Sequence, residues 1–503
     1  MNRKEALVIY SSGEERTVKK LLKQAESLKE AKQKLRVLIK EVSKRGSGFC
    51  WECFEKQRRI DRLEEEVKRL KAQLRYRENT EKEGYFGSST PSSKLGFKSN
   101  SLRDNQEKRG GAKKGHPGYG RRALGEEEAD RVEDVLIGDE CPYCGEVLEG
   151  KGVKRRTVIE RKPVITEKVL YRLHYKYCPR CQRKFYAKAP SVLPKHLYGN
   201  QLIAQSATMH YVHGIPMGRV AGLTEVDSDH LFGIFHRLAD VFSPVVEKLT
   251  EVYRQAPVKH ADETGWRTDG HSGCAWLFCT PEVSIFKFRN TRSSSVPKEV
   301  FSHDGLPGVL VVDRYNGYNQ VPCKIQYCYA HLCREVTDLK VEFPDEPEVA
   351  NFAEVFAPLL AKAMELRTQK IGDKEFYCKA RKLKEKITAV VERPAKHLGI
   401  RRIQDIFQEN ALRMYHWESD RRVPADNNFC ERELRPIVIA RKVSFGSQSQ
   451  RGARTREILM TVLNTLQKNT TNVVSDFKAV LDKLATDPTL DPYPLLFPYF
   501  DSS

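Results

Sequence analysis

The sequence predicts a multidomain α/β protein, and three observations support that prediction. A chain of 503 residues is too long for a single compact core. Strand-like apolar runs follow one another between residues 256 and 340 and then give way to helical patterns, which is typical of an α/β domain. Leucine repeats and paired cysteines precede these runs. We therefore expect several N-terminal modules followed by an α/β domain.

The charge balance indicates a polyanionic partner. Lys and Arg total 87 against 67 for Asp and Glu, which gives a formal net charge of +20. Nucleic acid is the usual partner of such a chain, although a membrane surface or plain solubility would explain the same balance. The sequence has no apolar run of about 18 residues, and its N-terminal apolar stretch is too short for a signal peptide. We expect a cytoplasmic protein that makes no membrane contact, whose 13 cysteines are thiols or metal ligands.

Residues 1–80 carry two helical leucine patterns, which favour a coiled coil. The repeats are Leu21, Leu28, Leu35 and Val42 in the first helix, and Ile60, Leu63, Val67, Leu70 and Leu74 in the second. We predict a homo-oligomer, at least a dimer, while an amphipathic helix packed on its own domain is the alternative. Between the two helices stands one C-x-x-C pair, Cys50 and Cys53. Two copies from two subunits could close a zinc site, whereas an inert surface pair or core cysteines are the simpler interpretation.

Residues 81–125 are rich in Gly, Ser and basic side chains, with few apolar residues to bury. This basic arm is predicted to contact DNA phosphates or a minor groove, and a solvated linker is the alternative. Its candidate DNA-binding residues are Lys108, Arg109, Lys113, Lys114, Arg121 and Arg122.

Residues 126–190 combine strand-like patterns with two C-P-x-C knuckles, Cys141/Cys144 and Cys178/Cys181. Four thiolates complete a tetrahedron around one Zn²⁺ and leave no open position for water, so we expect one structural zinc. A β-hairpin would fill the spacing between the knuckles.

Residues 191–255 are predicted to form short helices, the last of them capped by Asp227 and Ser228. With Gly222 at a turn, the pattern allows a helix-turn-helix, while a plain helical connector explains it nearly as well.

Three acidic residues suit metal-dependent phosphoryl transfer. Asp262 follows a strand-like run, Asp313 ends the apolar run GVLVV, and Glu431 lies on a predicted helix flanked by basic residues. An acidic residue directly after a buried strand is costly unless it works or is paired. Two ions about 3.5–4 Å apart activate the nucleophile and stabilise the leaving oxygen, and Mg²⁺ prefers carboxylates as ligands.

The motifs around these acids resemble those of a known family. The ordered motifs are His260–Trp266, Asp313–Tyr318, Cys328–His331, Asn427–Pro436 and Arg441–Lys442. Together with the zipper, the SSTPSSK stretch, the GGAKKGHPG arm and the cysteine knuckles, they resemble the large transposase of the insertion-sequence-66 family. The arm departs from the family's usual Gln-Pro-Gly-His style of motif, since it has Lys113 and Lys114 before Gly115-His116.

The resemblance implies a ribonuclease-H-like core with a DDE triad of Asp262, Asp313 and Glu431, which holds two Mg²⁺ or Mn²⁺ ions. We expect its first part at 256–340, a helical insertion at 341–424, a second part at 425–470 and a C-terminal tail at 471–503. The implied activity is cleavage at transposon ends and strand transfer into target DNA, with small accessory transposition proteins as further candidate partners. A catalytically inactive, DNA-binding descendant and another nuclease of this fold, such as a junction resolvase, are the alternatives.

Several residues beside the triad are further candidates for metal binding, catalysis or phosphate contact. Glu263 and Glu433 could replace a triad member or be surface carboxylates. His331 could orient a phosphate or donate a proton, or it could be a satisfied core histidine, and Asn428 is a second accessory candidate. Cys323, Cys328 and Cys333 look like a metal cluster but are better interpreted as buried thiols. The candidate phosphate contacts near the site are Arg435, Arg441 and Lys442, each of which could also lie on a solvated helix face.

Overall fold

The computed structural model describes residues 33, 51–85, 166–178, 183–194, 196–302 and 305–500. The described chain divides into two units. The larger unit draws on 1–94, 190–221 and 227–503, and the smaller on 95–189 and 222–226. None of the described helices combines the length and apolar character that crossing a bilayer requires.

Helix α1, Trp51–Tyr85, is the second of the two predicted N-terminal helices. The first leucine repeat and Cys50 lie outside the described residues. Cys53 lies in the first turn of α1, so our expectation of a cysteine in a loop between the helices is wrong for Cys53. The helix begins earlier because nothing in Trp51-Glu-Cys-Phe-Glu interrupts helical backbone geometry.

Two leucines of the α1 seam are exposed, while a polar residue later in the same helix is buried. Leu63 and Leu70 are 39% and 41% exposed, whereas Gln73 is buried and accepts a hydrogen bond from the backbone N–H of Leu398 at 3.4 Å. The C-terminal half of α1 therefore packs on its own unit, as our alternative interpretation proposed. The exposed leucines leave self-association as a prediction.

The smaller unit contains an antiparallel hairpin of β1, Tyr175–Cys178, and β2, Arg183–Tyr186. Tyr175 pairs with Tyr186 and Cys178 with Arg183, so the first cysteine of the second knuckle is the last residue of β1. We expected a hairpin of the runs VKRRTVIE and KVLYRLHYKY between the two knuckles. The first run lies outside the described residues. In the second run only Tyr175–Tyr177 is strand, and it pairs with β2.

Three helices follow in the order predicted: α2, Asn200–Tyr211; α3, Met217–Thr224; and α4, Ser228–Gln255. Asp227 is the N-cap of α4, and its Oδ1 accepts the backbone N–H of Asp229 at 2.8 Å. Gly222 lies inside α3, so its assignment to a turn is wrong. The turn falls at Glu225, which adopts a positive φ of 55°. The helix-turn-helix stays a prediction.

The apolar runs of the α/β region form strands, as predicted, and the structure joins them in a five-stranded mixed sheet. Its strands are β3, Val258–Thr268; β4, His271–Cys279; β5, Ser284–Arg289; β6, Val309–Val312; and β7, Lys324–Tyr327. They lie in the order β5-β4-β3-β6-β7. The first three strands along the chain are antiparallel neighbours, while β6 is parallel to both β3 and β7. Asp269 and Gly270, both with positive φ, form the turn between β3 and β4, as an Asp-Gly pair favours.

Helices surround and follow the sheet. Those before the last acidic motif are α5, Ser295–Phe301; α6, Tyr329–Glu342; α7, Pro347–Leu366; α8, Asp373–Glu392; α9, Leu398–Glu409; and α10, His416–Ser419. After them come α11, Asn428–Ser444; α12, Gln450–Asn469; α13, Val473–Thr486; and α14, Pro492–Leu496. The segment expected as a C-terminal tail thus contains helices, and Asp482 of α13 accepts a 2.8 Å hydrogen bond from Asn200 of α2.

Helix α12 covers the outer edge of the sheet with a row of polar side chains. Three backbone N–H groups of β5 donate to it: Ser284 to Thr465 Oγ1 at 3.1 Å, Phe286 to Thr461 Oγ1 at 3.0 Å and Phe288 to Glu457 Oε2 at 3.1 Å. Every second residue of β5 contacts every fourth residue of α12, because side chains repeat every two residues on one side of a strand and about every four on one face of a helix. The edge strand is therefore satisfied without a further strand.

Candidate active site

Two aspartates lie at neighbouring positions of the central strands. Strands β3 and β6 are parallel and pair His260 with Val311, so Asp262 and Asp313 each stand two residues beyond that pair. Asp262 is within β3, while Asp313 directly follows β6 and its Oδ1 accepts the backbone N–H of Tyr315 at 3.1 Å. Both side chains are half-buried. The position of each acid after an apolar run was the signal that selected it from the sequence.

Glu431 lies in the first turn of α11, as the sequence predicted for a helix at this position. Its Oε2 lies 3.2 Å from Nη2 of Arg334, and its Oε1 lies 3.9 Å from Nδ1 of His331. Oε1 is buried and accepts no hydrogen bond from any residue that the structure describes. One oxygen of Glu431 is thus neutralised by Arg334 while the other is not.

Burial and neighbouring charges raise the pKa values of the two aspartates. Burial raises the pKa of Asp262 well above its usual value, and the charges of Glu263, Asp313 and Glu431 raise it further. Burial also raises the pKa of Asp313, with a contribution in the same direction from Glu431. Carboxylates that repel one another in a partly buried place are relieved by a cation. Their hard oxygen atoms fit Mg²⁺ or Mn²⁺.

The competing acids have partners of their own. Glu263 is buried, with its Oε1 2.6 Å from Nη2 of Arg292 and its Oε2 accepting the hydroxyl of Tyr318 at 2.6 Å. Its interpretation as a surface carboxylate is therefore wrong. Burial, followed by the charge of Asp313, raises the pKa of Glu263 to about 7. Glu433 lies 3.2 Å from Nζ of Lys468, on a partly exposed stretch of α11.

Asn427 connects the helix of Glu431 to the strand of Asp262, and sequence reasoning missed it. Its Oδ1 lies 2.8 Å from Nδ1 of His260, and its Nδ2 donates to the backbone carbonyl of Ala261 at 2.8 Å. Asn427 is the residue preceding α11 and is only 1% exposed. His260 and Asn427 both lie in the motifs that carried the family resemblance, and that shared occurrence was the available signal.

The accessory candidates are placed differently. His331 is on the first turn of α6, and its Nδ1 is buried without a hydrogen-bond partner among the described residues. It is therefore not the satisfied core histidine that we considered. Asn428 is half-buried, and its backbone N–H donates to Oδ1 of Asp426 at 3.0 Å.

Comparison with known proteins decides the family. The family model described as "Transposase IS66 family" matches residues 195–455, more than half of the chain. This chain belongs to the IS66 transposase family. The match includes the sheet, helices α6 to α11 and all three candidate acids, and it ends within α12.

The curated relatives are uncharacterised proteins of Sinorhizobium fredii. The IS66-family chain is 24% identical to the protein y4jD over 236 residues, 42% of this chain and 44% of that protein. It is 23% identical to the protein y4qI over 400 residues, 70% of each chain. The match thus spans less than half the length of the first of these relatives, y4jD.

The basic residues of this IS66-family protein near the site divide into two kinds. Arg435 and Lys442 are exposed on α11. Arg441 instead donates from Nη1 to the backbone carbonyl of Gly265 at 2.7 Å, which attaches the C-terminal part of α11 to β3. Arg441 therefore has a structural contact whether or not it also meets phosphate.

Several predicted sites of the IS66-family protein lie outside the described residues. These are the zinc ligands Cys141, Cys144 and Cys181, and the arm residues Lys108, Arg109, Lys113, Lys114, Arg121 and Arg122. The fourth predicted zinc ligand, Cys178, ends β1. The zinc module and the basic arm stay predictions.

Proposed function

We propose that this protein is a DNA transposase that cleaves DNA at transposon ends and transfers the freed strand into target DNA. Asp262, Asp313 and Glu431 bind the catalytic metal ions in this proposal. The observation that carries it is geometric: paired strands β3 and β6 bring Asp262 and Asp313 to neighbouring positions, and Asn427 attaches the start of the Glu431 helix to β3. Membership in the IS66 transposase family supports the same function.

The sheet supports a ribonuclease-H-like core. Such a core needs a mixed sheet in which acids on a central strand and its parallel neighbour face a third acid on a later helix. Strand β3 carries Asp262, Asp313 directly follows β6, and α11 carries Glu431 after the helices that follow β7. This arrangement is the basis of the fold proposal.

Each side chain of the site has a role in the proposed reaction. Bound Mg²⁺ or Mn²⁺ supplies the positive charge that activates the attacking oxygen and stabilises the leaving oxygen. Asp262 presents its oxygens from β3 and Asp313 from the residue after β6, and Asn427 holds the first turn of α11 so that Glu431 faces them. Exposed Arg435 and Lys442 would neutralise DNA phosphates beside the site.

The test is cleavage of DNA that carries the element's own ends, in Mg²⁺, by Asp262→Asn, Asp313→Asn and Glu431→Gln. Each change removes a metal-ligand charge with little change in shape, so each variant should lose cleavage and retain DNA binding. Glu433→Gln is the matched control on the same helix and should cleave normally. Normal cleavage by one triad variant would remove that residue from the site.

The same assay separates the alternatives. A catalytically inactive descendant would bind the ends and leave them uncut in every variant, the wild type included. Another nuclease of this fold would cut the DNA without joining the freed 3′ end to a second molecule. Only a transposase gives both the cut ends and the joined product.

The basic arm and the oligomer complete the proposal. If all six basic residues of the arm contact phosphate, their replacement by Ala should flatten the slope of log affinity against log salt by roughly 5, at about 0.9 per contact. An unchanged slope would make the arm a linker. Two transposon ends must be joined, so we propose at least a dimer, paired through the α1 seam that exposes Leu63 and Leu70.

A further inference from the structure

A second cluster of metal-ligating atoms lies where α6 and α11 begin. The Sγ of Cys328, a ring nitrogen of His331 and a carboxylate oxygen of Glu431 all lie within 4.8 Å of one another. Cys328 is the N-cap of α6, His331 follows on its first turn, and Glu431 comes from the first turn of α11. Two helix starts therefore bring together a thiol, an imidazole and a carboxylate.

Two atoms of the cluster are buried without a partner in the described part of the chain. They are Nδ1 of His331 and Oε1 of Glu431, which lie 3.9 Å apart. That distance is too long for a hydrogen bond between them, even if Nδ1 carries the proton. Burying two such polar atoms is costly unless something satisfies both, and a cation between them would do so.

Backbone N–H groups and a helix N-terminus surround the thiol of Cys328. Sγ of Cys328 accepts the backbone N–H of Asn427 at 3.1 Å and also the backbone N–H of His331. It stands at a helix N-terminus, where the backbone dipoles stabilise negative charge. The sulfur is thus held in place beside the ring nitrogen of His331 and the carboxylate of Glu431.

We propose that Cys328, His331 and Glu431 form a binding site for a thiophilic divalent metal ion of the Zn²⁺ class. Zinc bonds of about 2.0–2.3 Å to sulfur, nitrogen and oxygen require the three ligand atoms to lie somewhat closer together than separations of up to 4.8 Å. Small rotations of the His331 and Glu431 side chains would supply the closure. Arg334 neutralises Oε2 of Glu431, which leaves Oε1 for the ion.

The proposed site differs from the triad in chemistry and in consequence. Sulfur and imidazole select a softer ion than the carboxylates of Asp262 and Asp313 do. Three protein ligands leave one position open, as in zinc sites that take water or an anion. Because Glu431 belongs to both sites, an ion held by Cys328 and His331 would fix the carboxylate that faces the aspartates.

The test is zinc content per chain, measured by mass spectrometry on the full-length protein after dialysis. Cys328→Ser and His331→Gln should each hold one equivalent less than the wild type. Cys333→Ser is the matched control, because Cys333 lies on the same helix with its Sγ 3.6 Å from the carbonyl oxygen of Ala357, outside the cluster. Equal zinc content in all four proteins would overturn the proposal.

Two further measurements keep the result unambiguous. Cobalt substitution should give a thiolate-to-metal absorption band that is weaker in Cys328→Ser than in Cys333→Ser, and identical spectra would contradict the site. Asp313→Asn should keep the full zinc content while losing cleavage. Zinc loss is therefore read independently of catalysis, and failure of the transposase proposal would leave it unchanged. His331→Gln, at a half-buried position, serves if Cys328→Ser does not fold.

Discussion

Replacing Asn427 by Ala should both destabilise the protein and impair its active site. The substitution removes the side-chain oxygen that meets Nδ1 of His260 and the amide that donates to the carbonyl of Ala261, each at 2.8 Å. All of these groups are buried, so water does not replace the lost contacts. A buried polar group left without a partner costs about 1–3 kcal/mol. Two such groups lower the free energy of unfolding by roughly 2–6 kcal/mol.

The same contacts hold Glu431, which lies one turn further along α11. The folded Asn427→Ala variant should therefore cleave more slowly than the wild type at saturating Mg²⁺. The assays are urea unfolding and single-turnover cleavage at a temperature where both proteins are folded. The matched control is Asn428→Ala, a half-buried neighbour, which should change stability by about 0.5 kcal/mol or less. Equal stability and equal cleavage for the two variants would refute the positioning role of Asn427.

Three further predictions follow from the described contacts. Thr461→Val keeps the side-chain shape but leaves the backbone N–H of Phe286 without its acceptor. Urea unfolding should therefore show that the free energy of unfolding falls by about 1–3 kcal/mol. An unchanged free energy of unfolding would mean that α12 is not needed to satisfy the edge strand. In chelator, Asp313→Asn should raise the melting temperature more at pH 8 than at pH 5. Burial raises the folded-state pKa values of Asp262 and Asp313. Their contribution to stability is therefore present below their unfolded-state pKa values and is lost as the pH rises through their folded-state pKa values. An increase in melting temperature that does not grow with pH would contradict this reasoning. Phe445→Gly should raise the free energy of unfolding by roughly 1 kcal/mol at most, because Phe445 is 75% exposed and has a φ of 61°. A loss of stability in urea would show instead that the phenyl ring makes stabilising contacts.

The strands were predictable because each is an apolar run bounded by turn residues. The run from Val309 to Val312 forms β6, as the pattern indicated. Helix α4 was less predictable than the strands, because Pro244 suggests a helix break that the structure does not have. Buried apolar residues continue at helical spacing through Val245, Val246 and Leu249, and their packing outweighs the lost hydrogen bond.

The acids were predictable in position but not in partnership. Asp262 and Glu263 are adjacent on β3, and no local pattern distinguishes a candidate metal ligand from a buried ion pair. The distinction comes from Arg292 and Tyr318, which reach Glu263 from later parts of the chain. Successive strand residues point to opposite faces, so the contacts on one face do not indicate those on the other.

The choice between Asn427 and Asn428 shows why the rest of the site could not be predicted from the sequence. Helix starts are uncertain by one or two residues when judged from sequence, and one residue turns a helical side chain by about 100°. The structure begins α11 at Asn428, which leaves Asn427 to cross to β3, while Arg441 reaches Gly265 on the same strand from the other end of the helix. Helix α11 is therefore attached to β3 on both sides of Glu431. A change at either attachment should move that carboxylate relative to Asp262, although neither Asn427 nor Arg441 belongs to the acidic triad.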